Sequence, residues 1–286
     1  LATVENHSVV FEIGSISKVF TSTLLASTVV QEELKLDDNI NDHLEFPIKN
    51  EVQLQFLTLA NHTSGLPRLP SNLNLFLVDQ SNPYKDYKEP QLIKYLTEQL
   101  QLAEPKYDYS NLGAGLLGYM LTKIHAQSYE SLLQEFIAVK YNMNSTTTNR
   151  DLIASKLVAG RNEVGKEVSN WDFAVLKGAG GIFSNVEDLS KFAKAQFDPA
   201  HNELALTQQK TITVNEKMSL GLGWHIVKSK SGNLHWHNGG TGGYTSSMAI
   251  DLINKTGVII LSNVSAFSSK MGNIDKLCFE LIETLN

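Results

Sequence analysis

Behind Ser15 the apolar positions Val19, Phe20 and Leu24 recur at helical spacing, with Thr23 on the same face. That period predicts a helix beginning at or just before Ser15, entered through the turn residue Gly14. The charged run 32–38 closes it, and a loop continues through Asn50. A short helix is expected over 54–59, stopped by the turn cluster Asn61-His62-Thr63-Ser64-Gly65-Leu66-Pro67. Residues 68–87, polar and rich in Pro and Asn, read as an irregular surface loop, and 89–99 as a helix beginning beside Pro90. A third clear helical face carries Leu112, Leu116, Leu117, Met120, Leu121 and Ile124. Gly113, Gly115 and Gly118 lie in the same segment, each costing about 1 kcal/mol against alanine in a helix. Their presence implies close packing on another backbone. A further helix is expected over 129–140.

The period changes after Trp171. A glycine turn, 178–184, leads to Ser184 or Asn185 as the cap of a helix running to about Phe197. Segments 220–227, 233–238, 244–251 and 256–263 read as strands, the last two joined as a hairpin through Asn254, Lys255 and Gly257. A final helix spans about 269–285. Helices in the middle, strands late and no regular βαβ alternation predict an α+β fold.

The 286 residues suffice for one large domain or two closely packed ones. A net charge of −6 with no basic cluster argues against a nucleic-acid partner. No apolar run is long enough to span a membrane. The one cysteine, Cys278, rules out an internal disulfide and a cysteine-rich zinc site, and sits in the apolar pattern of the last helix as a packed thiol.

Ser15 and Lys18 form a Ser-x-x-Lys at the start of the first helix. Residues three apart share a helix face, so the lysine nitrogen can lie beside the hydroxyl. A hydroxyl needs a neighbouring base to become a nucleophile, and a buried lysine can lose its proton and serve as one. Alone, the same four residues read more readily as a helix cap followed by a solvated lysine, since the pattern arises often by chance. Two further stretches accompany it: Tyr109-Ser110-Asn111 entering a helix, and His237-Asn238-Gly239-Gly240 ending a strand. Individually, Tyr109 and Asn111 read as turn and cap residues. His235 and His237 alternate onto one strand face, but no acidic or cysteine ligand accompanies them at a zinc spacing, which argues against a metal. His62 reads as a structural residue of its turn. Trp224, Trp236 and Tyr244 flank the candidate site as core or pocket wall.

In this order and spacing the three stretches resemble the motifs of the serine β-lactamase and penicillin-binding protein superfamily. The tyrosine of the second and the histidine opening the third resemble the class C branch, with its related D,D-carboxypeptidases and serine esterases. The resemblance extends from about residue 9 to the C-terminus through Leu59-Ala60-Asn61-His62-Thr63-Ser64-Gly65-Leu66, the 178–184 turn and Gly242-Gly243-Tyr244. It implies a β-lactamase/transpeptidase-like fold, with an α/β part (1–30 and 165–286), a mostly helical part (31–164) and the site in the cleft between them. It implies acyl transfer by Ser15, with Lys18 and Tyr109 as general base and Tyr109 then as acid. Asn111 would bind the acyl-side amide of the substrate and steady Lys18. His237 would hydrogen-bond Tyr109 or orient a substrate carboxylate, Asn238 and Gly239 would contact substrate, and the N–H groups of Ser15 and Gly240 would form the oxyanion hole. No cofactor is implied. The implied partner is a small molecule or peptidoglycan-like peptide, in a periplasmic or other extracytoplasmic location. A class C β-lactamase-like hydrolase is the first reading, with a D,D-peptidase, an esterase or a slow-turnover penicillin sensor as alternatives.

Two departures qualify it. The third box reads His-Asn-Gly, so Asn238 stands where a hydroxyl commonly meets the substrate carboxylate, which argues against efficient β-lactam hydrolysis. Only fourteen residues precede Ser15, fewer than the helix and strands that relatives carry there, so an upstream segment is expected.

Overall fold

The computed structural model describes residues 6–74, 77–230 and 232–285. Residues 1–5, 75–76, 231 and 286, which belong to the expected α/β part and the expected 68–87 loop, lie outside the described residues. Six antiparallel strands form the main sheet, in the spatial order Thr256–Ser262, Thr245–Asp251, Asn233–Gly240, His225–Lys228, Met218–Leu220, Ile212–Asn215. Consecutive strands are neighbours throughout, as short connections favour. The Gly272–Thr284 helix packs on one face of the sheet through Cys278 and Ile282, against Leu234 and Ala249. On the other side one continuous apolar cluster runs from Ile13 and Phe20 to Ile250, taking in the helices of the middle of the chain. Phe20 stacks on Phe192 at 4.5 Å within it.

The expected strand over 220–227 is instead a hairpin, Met218–Leu220 turning into His225–Lys228. Gly223 explains the break: its φ of +72° suits a turn, and a β-carbon there would lie 2.7 Å from the Lys18 carbonyl oxygen. The turn therefore rests directly on the Ser17–Val30 helix. The Asn202–Gln208 helix and the Ile212–Asn215 strand carry no strong period and were not expected from the pattern. The helices expected over 89–99 and 129–140 each begin as α-helix, Glu89–Lys94 and Tyr129–Leu133, and widen into a π-turn. Asn185 caps the Val186–Ala195 helix by accepting the Asp188 N–H at 2.8 Å.

The glycines of the Asn111–Ile124 helix meet a backbone, as their size implied. A β-carbon on Gly118 would come within 3.0 Å of the Gly178 Cα. Two main chains thus touch without side chains between them, which fixes the short Lys177–Gly180 helix against its neighbour. Gly118→Val is expected to lose about 2–3 kcal/mol of stability through overpacking, read as a lower denaturation midpoint in urea at unchanged slope.

Candidate active site

The chain enters the site through a tight 3₁₀ turn, Gly14–Ile16, that runs into the Ser17–Val30 helix. Ser15 sits in this turn rather than in the helix, half-buried and facing a cavity of about 620 Å³. The turn is pinned from the sheet. Ser246 donates its hydroxyl to the Ile13 carbonyl at 2.8 Å, and Gly239, opposite Ser246 in the register, has no side chain to obstruct that carbonyl. A β-carbon at Gly239 would overlap the Ile13 oxygen and lie 2.9 Å from the Ser15 nitrogen, while one at Gly14 would lie 2.6 Å from the Gly240 nitrogen. Absence of side chains thus brings the Ser15 and Gly240 backbones to one corner of the cavity.

Lys18 is 1% exposed. Its Nζ donates to the Ala179 carbonyl at 2.7 Å and lies 3.0 Å from the Ser15 Oγ. Among the described residues no carboxylate pairs with it. Burial lowers its pKa well below 10.5, and the Arg68 charge lowers it further. Ala179 does the steadying that was expected of Asn111: its carbonyl belongs to the Lys177–Gly180 helix, whose Gly178 carbonyl in turn accepts the Thr21 hydroxyl at 2.8 Å.

Tyr109 lines the cavity together with Ser15. The Lys18 Nζ lies 4.8 Å from its ring centroid and the Arg68 guanidinium 5.3 Å. Burial raises the phenol above its usual value of 10.0, and the neighbouring Ser15 and Arg68 only partly oppose this. His62, held at φ +59°, accepts the Ser110 N–H on Nδ1 and the Asp108 N–H on its carbonyl, so it shapes the loop that presents Tyr109. Ser110 caps the following helix by accepting the Gly113 N–H at 2.8 Å. Asn111 lines the cavity with Oδ1 unpartnered and Nδ2 directed to the Tyr84 hydroxyl at 3.4 Å.

His237 is placed otherwise than the resemblance implies. It is fully buried, bonds the Asn238 carbonyl through Nδ1 at 2.6 Å, and leaves Nε2 without a partner. Its ring centroid lies 6.2 Å from that of Tyr109, with no hydrogen bond between them among the described contacts. Alternation along the strand puts it, opposite Met248, on the face of Gly239 that meets the Ser15 turn, while Trp236 and Asn238 lie on the other face. Burial, with His225 and Lys18 nearby, keeps its pKa well below 6.5, so the imidazole is neutral. Asn238 lines the cavity but directs its amide N–H to Asp275 at 2.7 Å. Trp236 is pocket wall, Trp224 is core, and Tyr244 anchors the Val158 carbonyl through its hydroxyl.

Several cavity residues lie outside the three motifs. Arg68, Leu69, Pro83 and Tyr84 come from the segment read as a surface loop, yet Tyr84 is buried and stacks on Phe173 at 4.6 Å. Its aromatic residues were the signal that the segment turns inward. Tyr107, two positions before Tyr109, bonds His225 Nε2 at 3.2 Å.

The Beta-lactamase family model matches residues 6–275. The chain is 26% identical over 229 residues to a beta-lactamase of Pseudomonas fluorescens, covering 77% of this chain and 61% of that protein. It thus spans about three fifths of that relative's length. It is also 26% identical over 301 residues to the D-alanyl-D-alanine-carboxypeptidase/endopeptidase AmpH of Escherichia coli K12, covering 95% of this chain and 76% of AmpH. Its fold matches a beta-lactamase/D-alanine carboxypeptidase from Yersinia pestis with a TM-score of 0.82 at 23% identity, over 97% of this chain and 84% of the other. A class C beta lactamase from Rhodobacter sphaeroides gives 0.79 at 18% identity, over 97% and 86%. The chain belongs to the Beta-lactamase family. The solved structures it matches share the expected α+β fold.

The buried lysine has a thermodynamic signature. Its folded pKa lies below the unfolded one, so between the two the unfolded chain binds a proton that the folded chain has released. Its contribution to stability therefore rises with pH through that window. Lys18→Met removes the penalty: its melting temperature is expected to exceed that of the parent at pH 7, with the gap closing as pH approaches 10.5. Parallel calorimetric scans of the two proteins across pH check this.

Proposed function

We propose that this chain hydrolyses a β-lactam, D-alanyl peptide or ester through an acyl-enzyme on Ser15, with class C β-lactamase-like chemistry. The observation that carries the reading is the 3.0 Å approach of Ser15 Oγ to a buried Lys18 whose proton affinity is depressed. With Lys18 neutral, its lone pair takes the Ser15 proton as Oγ attacks the carbonyl. One N–H remains on the Ala179 carbonyl and holds the amine in place. The Ser15 and Gly240 N–H groups receive the developing oxyanion, each such donor contributing about 3 kcal/mol in serine hydrolases.

Tyr109 then completes the proton path. Its raised pKa keeps it a neutral phenol, so it acts as a relay between Lys18 and the leaving group, and Lys18 serves as the resting base. The carbon–heteroatom bond breaks as the leaving atom gains this proton. Water next attacks the acyl-enzyme, gives its proton to the same pair, and releases the acid with Ser15 restored. Asn111 Oδ1, unpartnered at the wall, accepts an N–H from the acyl side of the substrate. The reading places the site in the cleft between the sheet part and the helical part. An extracytoplasmic location goes with this substrate class; among the described residues no helix is long and apolar enough to cross a membrane.

Purified protein and Ser15→Ala, assayed with a chromogenic cephalosporin, a p-nitrophenyl ester and a fluorescent penicillin, test the proposal. Turnover or labelling is expected to fall at least about a thousandfold in Ser15→Ala. Cephalosporin turnover marks a β-lactamase, ester turnover alone an esterase, and a stable label a peptidase or sensor. Activity that persists undiminished in Ser15→Ala sinks the assignment.

A further inference from the structure

The strand that forms one wall of the cavity carries an unusual electrostatic backing. Asn238 and Trp236 both face the cavity, and Asn238 is tied to Asp275 of the Gly272–Thr284 helix. Asn238 Nδ2 donates directly to Asp275 Oδ2 at 2.7 Å. Trp236 Nε1 donates to Ser247 Oγ at 3.0 Å. Ser247 lies directly opposite Asn238 in the strand register, so the Trp236–Ser247 pair sits beside the Asn238–Asp275 pair. The other carboxylate oxygen, Oδ1, is buried and without a partner. Among the described ion pairs none involves Asp275. It lies in the first turn of its helix, where the helix dipole favours a negative charge.

With its N–H directed backward, Asn238 has its carbonyl oxygen left for the cavity. A substrate group at this wall therefore meets an acceptor backed by a carboxylate that has no partner among the described ion pairs, with burial raising its pKa from 3.8. The one cationic side chain lining the cavity among the described residues, Arg68, enters from the segment that also receives the Asn111 and Leu112 N–H groups on its carbonyl. We propose that the Asn238–Asp275 pair selects leaving groups that are neutral hydrogen-bond donors or cations at this wall and rejects those bearing a carboxylate, which among the substrates proposed above favours the ester over a β-lactam or a D-alanyl-D-alanine peptide, whose leaving sides carry one. This rests on the acyl-transfer reading, in which the leaving group departs between Tyr109 and this strand. Asp275 acts through Asn238 and its charge, as a positioning and specificity residue, not a catalytic one.

The test uses three phenylacetyl esters that differ only in the leaving alcohol: glycolate, glycolamide and choline. For the parent protein at low salt, kcat/KM is expected to be lowest for the glycolate ester, roughly tenfold below the choline ester, as one unit charge at close range implies. High salt narrows the gap. The isosteric Asp275→Asn keeps an acceptor for the Asn238 amide and is expected to bring the choline-to-glycolate ratio close to one. A purely structural role for Asp275 would lower all three rates together and leave the ratio unchanged. Binding of phenylboronates carrying a carboxylate or an aminomethyl group gives the same comparison without turnover. Equal preference for the two charges in the parent, or a ratio unmoved in Asp275→Asn, overturns the inference. Charge-indifferent hydrolysis that still requires Ser15 overturns the inference alone, whereas ester turnover that persists in Ser15→Ala overturns the acyl-transfer reading beneath it.

Discussion

An amine held out of water without a counter-ion is the constraint on which the rest of this site depends. Desolvating an ammonium costs several kcal/mol even after the protein relaxes, and a buried carboxylate would repay part of that by keeping the proton on. Here the described partners of Lys18 Nζ are a carbonyl and a hydroxyl, and the nearby charged group is another cation. The cheaper state is the one that gives the proton away. The same burial keeps His62, His225 and His237 neutral around Tyr109. A single environment thus sets the protonation states of the lysine, the phenol and the surrounding rings.

That environment is built by close approach of main chains. Gly118 against Gly178 places the helix turn whose Ala179 carbonyl holds Lys18. Gly239 against Ile13 seats the turn that carries Ser15. Gly223 lets the hairpin rest on the Lys18 carbonyl. At each of these points a β-carbon has no space, so the cavity walls are fixed by backbone rather than by adaptable side chains.

Much of this was legible in the sequence, for identifiable reasons. The helical face from Leu112 to Ile124 and the strands from Asn233 onward have strong periods, and both stand close to their expected bounds. Ser15, Lys18 and Tyr109 are recognisable because chemistry demands those residue types at those spacings, and the fold brings the three together. The full burial of His237 beside Tyr109 was not legible, because period-two alternation states that a residue changes face without stating how deep it lies. The 218–228 hairpin was hidden as well: Gly221 and Gly223 interrupt an apolar run too briefly for periodicity to register. Ala179, Arg68 and Asp275 act through a carbonyl, a long-range charge and a contact between distant elements, none of which leaves a local pattern.

The separation of these contacts along the chain has a consequence for how the protein comes to be reactive. Ser15 and Lys18 are three residues apart and can meet as soon as their turn forms. The carbonyl that holds the amine comes from 161 residues downstream, and the hydroxyl that pins the preceding turn from 233. Closing such long loops is entropically costly and belongs to the completed topology rather than to early local structure. Until then the lysine remains solvated and protonated, and the serine beside it is an ordinary alcohol. A nascent or partly folded chain therefore displays the motif without its buried setting, which only the completed topology supplies.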